Sequence, residues 1–265
     1  MTTLIFSSYG SRIGVRTNIP DLLEKLKIFL LPQTESIQEG ATDEQFSLFF
    51  YDTNHIGGYF FYQGNDFLAK APDLKKALEL LVSALHKAIA LYASPFLFVH
   101  AGVVGWDGKA IVIPGRSMSG KTSLVAALVK AGAEYYSDEY AVFDENGYIH
   151  PYPKPLSIRS SCGMRAKKCE ASEFGGKNGK YPISPKLIVD THFKENTIWK
   201  PYLLSPGKAV LRLLDNTICA TTRTKQAISI FSNVANQSTA ISGFRPTGEQ
   251  VVSSIIEFCN NDNMQ

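Results

Sequence analysis

The chain has 265 residues, of which 45% are hydrophobic and 19% charged, and carries a net charge of +3. That length supports a full core in one or two domains, and that composition belongs to a folded globular protein, which excludes a disordered or fibrous chain. The charge is too mild to argue for nucleic acid, and no membrane span is expected, because Leu78 to Val104 would bury His86 and Lys87 and is broken by Pro95.

Residues 1–66 are rich in aromatic and β-branched side chains separated by turn signals. Leu4-Ile5-Phe6, Phe46 to Tyr51 and Gly58 to Tyr62 predict short antiparallel strands, and Pro20 to Lys27 predicts one helix packed on them. No cluster of titratable groups there demands chemistry, so residues 1–70 read as a small α+β cap or recognition domain, leaving residues 71–265 as a second domain.

From Pro72 to Tyr92, Leu74, Ala77, Leu78, Leu81, Leu85, Ala88, Ile89 and Tyr92 recur at helical spacing, with Pro72 and Asp73 suited to the first turn. This predicts a core-facing helix that leads into the second domain. Phe96 to Val104, then Gly105-Trp-Asp-Gly-Lys109, then Ala110-Ile-Val-Ile113 read as a β-hairpin around an Asp-Gly turn. If Val104 pairs with Ala110, His100 falls opposite Pro114, at the end of the second strand.

That strand runs into Gly115-Arg116-Ser117-Met118-Ser119-Gly120-Lys121-Thr122-Ser123, which fits G-x-x-x-x-G-K-[ST], and a helical stretch to Ala131 ended by Gly132 follows. Strand, glycine turn and helix N-terminus make a nest of inward N–H groups that fits a phosphate. Lys121 is the expected point charge on the β- and γ-phosphates, and the Thr122 hydroxyl the expected Mg²⁺ ligand.

Ala133 to Ser137 predicts a strand returning parallel to the hairpin's second strand through a right-handed crossover. Asp138 and Glu139 then emerge on the edge where a γ-phosphate would lie. Paired carboxylates beside a phosphate site are costly unless a metal or a proton-transfer role compensates them, so both are read as functional.

Ala141 to Phe143 and Tyr148 to His150 flank an Asp-Glu-Asn-Gly turn, a second hairpin signal. Pro151, Pro153 and Pro155 force an extended segment. Residues 160–186 hold four glycines and six lysines or arginines, and read as a mobile basic loop able to close over phosphates. Leu187 to Asp190 predicts another strand; Pro206–Leu214, Lys225–Ala235 and Gly248–Cys259 predict helices.

The four cysteines show no C-x-x-C pairing and no basic-then-apolar leader stands at Met1, so free thiols in a cytoplasmic protein are expected. The fold class is α/β, a mixed-sheet P-loop nucleotide domain with a small N-terminal α+β domain.

Phe98-Val-His100-Ala-Gly-Val-Val104, the glycine turn at Gly115, and Ser137-Asp138-Glu139 resemble the nucleotide domain of HPr kinase/phosphorylase and the HPr-kinase-like serine kinases, whose fold is shared with phosphoenolpyruvate carboxykinases. The similarity covers roughly residues 96–160, with a looser one through the C-terminal helices. It implies that Asp138 matches the aspartate taking the proton of an acceptor serine, that His100 matches a histidine of the same site, and that Mg²⁺ is bound through Thr122 and an acidic neighbour, here Glu139 where the family has a second Asp. The signature that follows in the bifunctional enzymes has no convincing copy, so neither phosphorolysis nor HPr as substrate is implied.

Residues and resemblance together predict an ATP- and Mg²⁺-dependent kinase acting on a serine hydroxyl of a peptide or small protein. The sequence leaves open a kinase of a small hydroxyl metabolite, a nucleotide-dependent scaffold with little turnover, and self-association. Among the predicted site residues, Asp138, His100 and Lys121 are assigned to catalysis, residues 115–123 to the nucleotide, and Thr122 and Glu139 to the metal.

Overall fold

A computed structural model describes residues 1–27, 33–38, 40–53, 56–116, 119–158 and 167–260. The chain divides into two compact units, Met1–Phe96 and Leu97–Gln265.

In the first unit, β1 (Thr2–Ser8), β2 (Ser11–Thr17), α1 (Leu22–Lys27), β3 (Thr34–Ile37), β4 (Glu44–Thr53), β5 (Ile56–Gln63), β6 (Asp66–Ala71) and α2 (Leu74–Tyr92) follow in order. The six strands form one sheet, β3-β1-β2-β4-β5-β6, antiparallel except for the β2–β4 pair. Period-two alternation sends Phe6, Ile13, Val15, Phe46, Leu48 and Phe61 into the core. The apolar stripe of α2, including Ala77, Leu81 and Leu85, packs on β2, β4 and β5. Phe49, Tyr51, Phe60, Tyr62 and Phe67 form a network of ring contacts on the other sheet face. The helix expected to open the second domain therefore belongs to the first, because its leucine stripe finds its sheet there. The boundary falls after Phe96 and not near residue 70.

The second unit is built from β7 (Leu97–Trp106), β8 (Lys109–Pro114), α3 (Lys121–Lys130), β9 (Glu134–Ser137), β10 (Tyr140–Phe143), β11 (Ile149–His150), β12 (Leu156–Ile158), β13 (Lys167–Cys169), a short 3-10 turn (Ala171–Phe174), β14 (Ser184–Phe193), β15 (Tyr202–Leu203), α4 (Pro206–Leu214), α5 (Thr224–Gln237), β16 (Thr239–Arg245) and α6 (Val252–Asn260). The main sheet runs β11-β10-β7-β8-β14-β16-β15, and β9 also pairs with β7. The hairpin β7–β8 is antiparallel, whereas β8, β14 and β16 are mutually parallel, which makes a mixed α/β sheet.

Helices cover both faces. Leu124, Val125 and Leu128 of α3 share a core with Val252 and Ile255 of α6, Ile111, Ile113 and Val189. Ala209 and Leu213 of α4 share the opposite core with Ala227, Phe231 and Val234 of α5, Val112 and Ile188.

Residues 167–186 do not form a free loop. Lys167–Cys169 pairs with Leu156–Ile158, and the Tyr135 N–H donates to the Lys177 carbonyl at 2.8 Å, as does the Gly179 N–H to the Tyr135 carbonyl. The Tyr136 hydroxyl donates to the Tyr181 carbonyl at 2.9 Å. The glycines read as signs of mobility are instead close-approach sites: a Cβ on Gly179 would stand 2.0 Å from the Tyr136 ring. Residues 160–166 of the expected lid lie outside the described residues. Gly179→Ala must displace that ring, and overpacking of this kind lowers the melting temperature by about 5 °C. An unchanged melt by circular dichroism would mean that residues 177–181 are not clamped to β9.

Candidate functional site

Strand β8 ends at Pro114, and the chain then turns through Gly115. The Gly115 N–H donates to the His100 carbonyl at 3.0 Å, which fixes the start of the turn against β7. The β7–β8 register is one residue from the expected one: Ala101, not His100, stands opposite Pro114. His100 still lies at the turn, and its ring centre is 4.9 Å from that of Tyr140, its partner on β10.

Ser117 and Met118 of the predicted phosphate turn lie outside the described residues. Gly120 closes it at φ +84°, a left-handed conformation suited to glycine. Lys121 opens α3 as a buried residue, and its Nζ donates to the Arg116 carbonyl at 2.8 Å. Burial lowers its pKa, opposed by Asp138 and then Glu139. The Ser119 hydroxyl is buried without a hydrogen-bond partner among the described residues. Ser123 caps its own turn, its hydroxyl donating to the Gly120 carbonyl at 2.8 Å.

Strand β9 runs in the direction of β8 with β7 between them, because β7 is antiparallel to both. The predicted crossover therefore delivers a parallel strand, though not an adjacent one. β9 and β10 pair with successive stretches of β7, Gly105 to Val103 and then His100 to Leu97. They are one strand line interrupted at Asp138 and Glu139. The Ser137 hydroxyl oxygen accepts the N–H groups of Glu139 at 3.1 Å and Tyr140 at 3.0 Å, satisfying the amides that leave the ladder.

The interruption aims Asp138 at the helix that follows the turn. Thr122 Oγ1 donates to Asp138 Oδ2 at 2.7 Å, a bond joining two residues that the sequence separates by a strand and a helix. Asp138 Oδ1 is buried with no hydrogen-bond partner among the described residues. Burial pushes the Asp138 pKa up to about 6 against the lowering effects of the Thr122 hydroxyl and the Lys121 ammonium, with Glu139 adding to the rise. The His100 pKa is lowered by burial first and by Lys121 second, with Glu139 opposing, which favours a neutral imidazole.

Glu139, expected at the metal, forms an ion pair with Lys154 Nζ. It contributes to the field at Lys121, Asp138 and His100, while its carboxylate is taken by a lysine from the proline-rich segment that sequence reasoning read only as extended.

The sequence reading also missed Arg245. It ends β16, a strand without a strong apolar run, and is fully buried. Its Nη2 donates to the Gly120 carbonyl and its Nη1 to the Pro246 carbonyl at 3.1 Å; Nε has no partner among the described residues. Burial lowers its pKa, opposed by Glu249. The signal available was a lone Arg-Pro between an alternating stretch and a helix.

The Thr122 hydroxyl, oriented by its bond to Asp138 Oδ2, fits a small hard cation, and the buried Ser119 hydroxyl with the Lys121 ammonium fits phosphate oxygens. Among the described residues no group of three or more His, Cys, Asp or Glu converges. A cation here would draw most of its ligands from phosphate and water, the habit of Mg²⁺ at nucleotide sites. Among the described residues no helix is long and apolar enough to cross a membrane. No protein-family model matches the chain, and no curated protein matches it.

Proposed function

We propose that this protein is an ATP- and Mg²⁺-dependent phosphotransferase acting on a serine hydroxyl of a peptide or small protein. The observation that carries the reading is the 2.7 Å bond between Thr122 Oγ1 and Asp138 Oδ2, which sets a buried carboxylate with a free oxygen at the first turn of the phosphate-binding helix. The likeness of residues 96–160 to HPr-kinase-like serine kinases supports the same reading.

Phosphoryl transfer asks for positioning and charge neutralisation more than covalent help. The Lys121 ammonium and the N–H groups of the turn hold the phosphates, and Thr122 would hold the metal. Mg²⁺, when bound, neutralises charge on the β- and γ-phosphates. Asp138 Oδ1 accepts the serine proton as the serine oxygen bonds to the γ-phosphorus and the bond to the β-γ bridging oxygen breaks, releasing ADP. A base with a pKa of about 6 is ionised at neutral pH and still basic enough to take that proton. A neutral His100, within the field of Lys121 and Glu139, adds no second positive charge beside Lys121.

The test supplies the purified protein with γ-labelled ATP and Mg²⁺, together with serine-bearing peptides and, separately, small hydroxyl metabolites. Label on a peptide serine is the expected result. Transfer to metabolites alone would replace the acceptor class, and label passing only to water would overturn the transferase reading.

A further inference from the structure

On the side of the phosphate turn away from Asp138, β14 ends in a large aromatic residue that the site described above leaves unused. A Cβ built on Gly120 would stand 3.3 Å from Phe193 Cβ and 2.6 Å from Arg245 Nη2, so both residues abut the position from which α3 starts. They are also register partners across β14 and β16, and paired residues of adjacent strands share a sheet face. Phe244, one residue earlier, falls on the other face, where Lys194 Nζ lies 5.2 Å from its ring centre. Arg245 is wholly buried while Phe193 is 49% exposed. The pair thus forms a fixed cationic floor with an open aromatic side chain beside it.

The strand order determines what such a side chain could meet. Reading across the sheet as β9-β7-β8-β14-β16, Asp138 lies on one side of β8 and Phe193 on the other. A triphosphate held in the turn with its terminal phosphate toward Asp138 directs its nucleoside toward β14. An exposed ring there offers a π-face to a heteroaromatic base.

We propose that Phe193 is the platform on which the base of the bound nucleotide stacks, with Arg245 as the positioning residue that holds Gly120 beside it. Stacking engages the face of a base and not its hydrogen-bonding edge, so Phe193 recognises nucleotides by the presence of a heteroaromatic base without separating adenine from guanine. The inference rests on the nucleotide-binding part of the reading above and is independent of phosphoryl transfer.

Calorimetric titration with MgADP and with magnesium pyrophosphate, which lacks a base, tests it without turnover. Phe193→Ala is expected to weaken MgADP about tenfold and to leave pyrophosphate within about twofold of the unmodified protein. Phe193→Trp is expected to restore MgADP affinity and to show emission quenched by MgADP but not by pyrophosphate. Lys121→Ala is expected to lose both ligands. MgADP binding unchanged in Phe193→Ala but lost in Lys121→Ala would overturn the platform and leave the phosphate site standing. Equal losses of both ligands in Phe193→Ala would make Phe193 a prop of the turn and also overturn it. If the unmodified protein binds neither ligand, the nucleotide reading itself fails.

Discussion

Asp138→Asn is expected to reduce phosphoryl transfer about a thousandfold while MgADP affinity stays within a few-fold of the unmodified protein. The amide oxygen can still accept the Thr122 hydroxyl, as Oδ2 does now at 2.7 Å, so the first turn of α3 keeps its geometry. What is lost is the carboxylate proposed to accept the serine proton. Single-turnover measurement at saturating Mg²⁺ checks this. If excess Mg²⁺ restores the rate, Asp138 is a metal ligand and not the base. If the rate never falls, the acceptor site lies elsewhere.

The same carboxylate makes a second large effect, on stability. Its folded pKa of about 6 lies above the ordinary value of 3.8. A carboxyl raised in this way contributes stability that is complete below pH 3.8 and is lost as pH rises through about 6. The full swing is about 3 kcal/mol. The nucleotide-free Asp138→Asn variant, which has no charge to bury, is therefore expected to gain about 3 kcal/mol relative to the unmodified protein between pH 3.5 and pH 8. Urea unfolding followed by tryptophan emission suits the measurement, because both tryptophans, Trp106 and Trp199, lie in the second unit. Curves that differ by the same amount at both pH values would mean that Asp138 ionises as freely as in water. Activity gained at the expense of stability is the expected signature of a functional carboxylate and not of a structural one.

Much of the site was legible because its signals are local. Gly115 to Ser123 couples a strand, a turn and a helix within a single stretch, and Asp138 follows at the distance one crossover requires. The 3.6-residue spacing of Leu74 to Tyr92 likewise announces a helix. Its allegiance to the first sheet is a tertiary fact, set by which apolar face lies within reach, and no spacing encodes it.

The remaining elements were illegible for identifiable reasons. β16 reads Thr-Ala-Ile-Ser-Gly-Phe-Arg, too polar to look like an interior strand, yet its backbone pairs with β14 and β15, and pairing is nearly blind to side chains. Arg245 could not be foreseen without that strand. Gly176 and Gly179 suggest flexibility in the sequence, but their small size serves close packing, a distinction visible only once Val129 and the Tyr136 ring stand against them. Glu139 and Lys154 are paired by a fold-back that prolines obscure.

The parallel pairing of β8 with β14 and then β16 bears on how the molecule is made. The glycine turn leaves the ribosome well before residues 184–193 supply a neighbour for β8, and Arg245 reaches Gly120 later still. Until then one side of β8 offers an unpaired apolar edge, the kind of surface that chaperones shield in partly synthesised chains. The turn proposed to hold a nucleotide is accordingly among the last features of the second unit to be buttressed, so a nucleotide that binds there would draw the nascent chain toward its finished form.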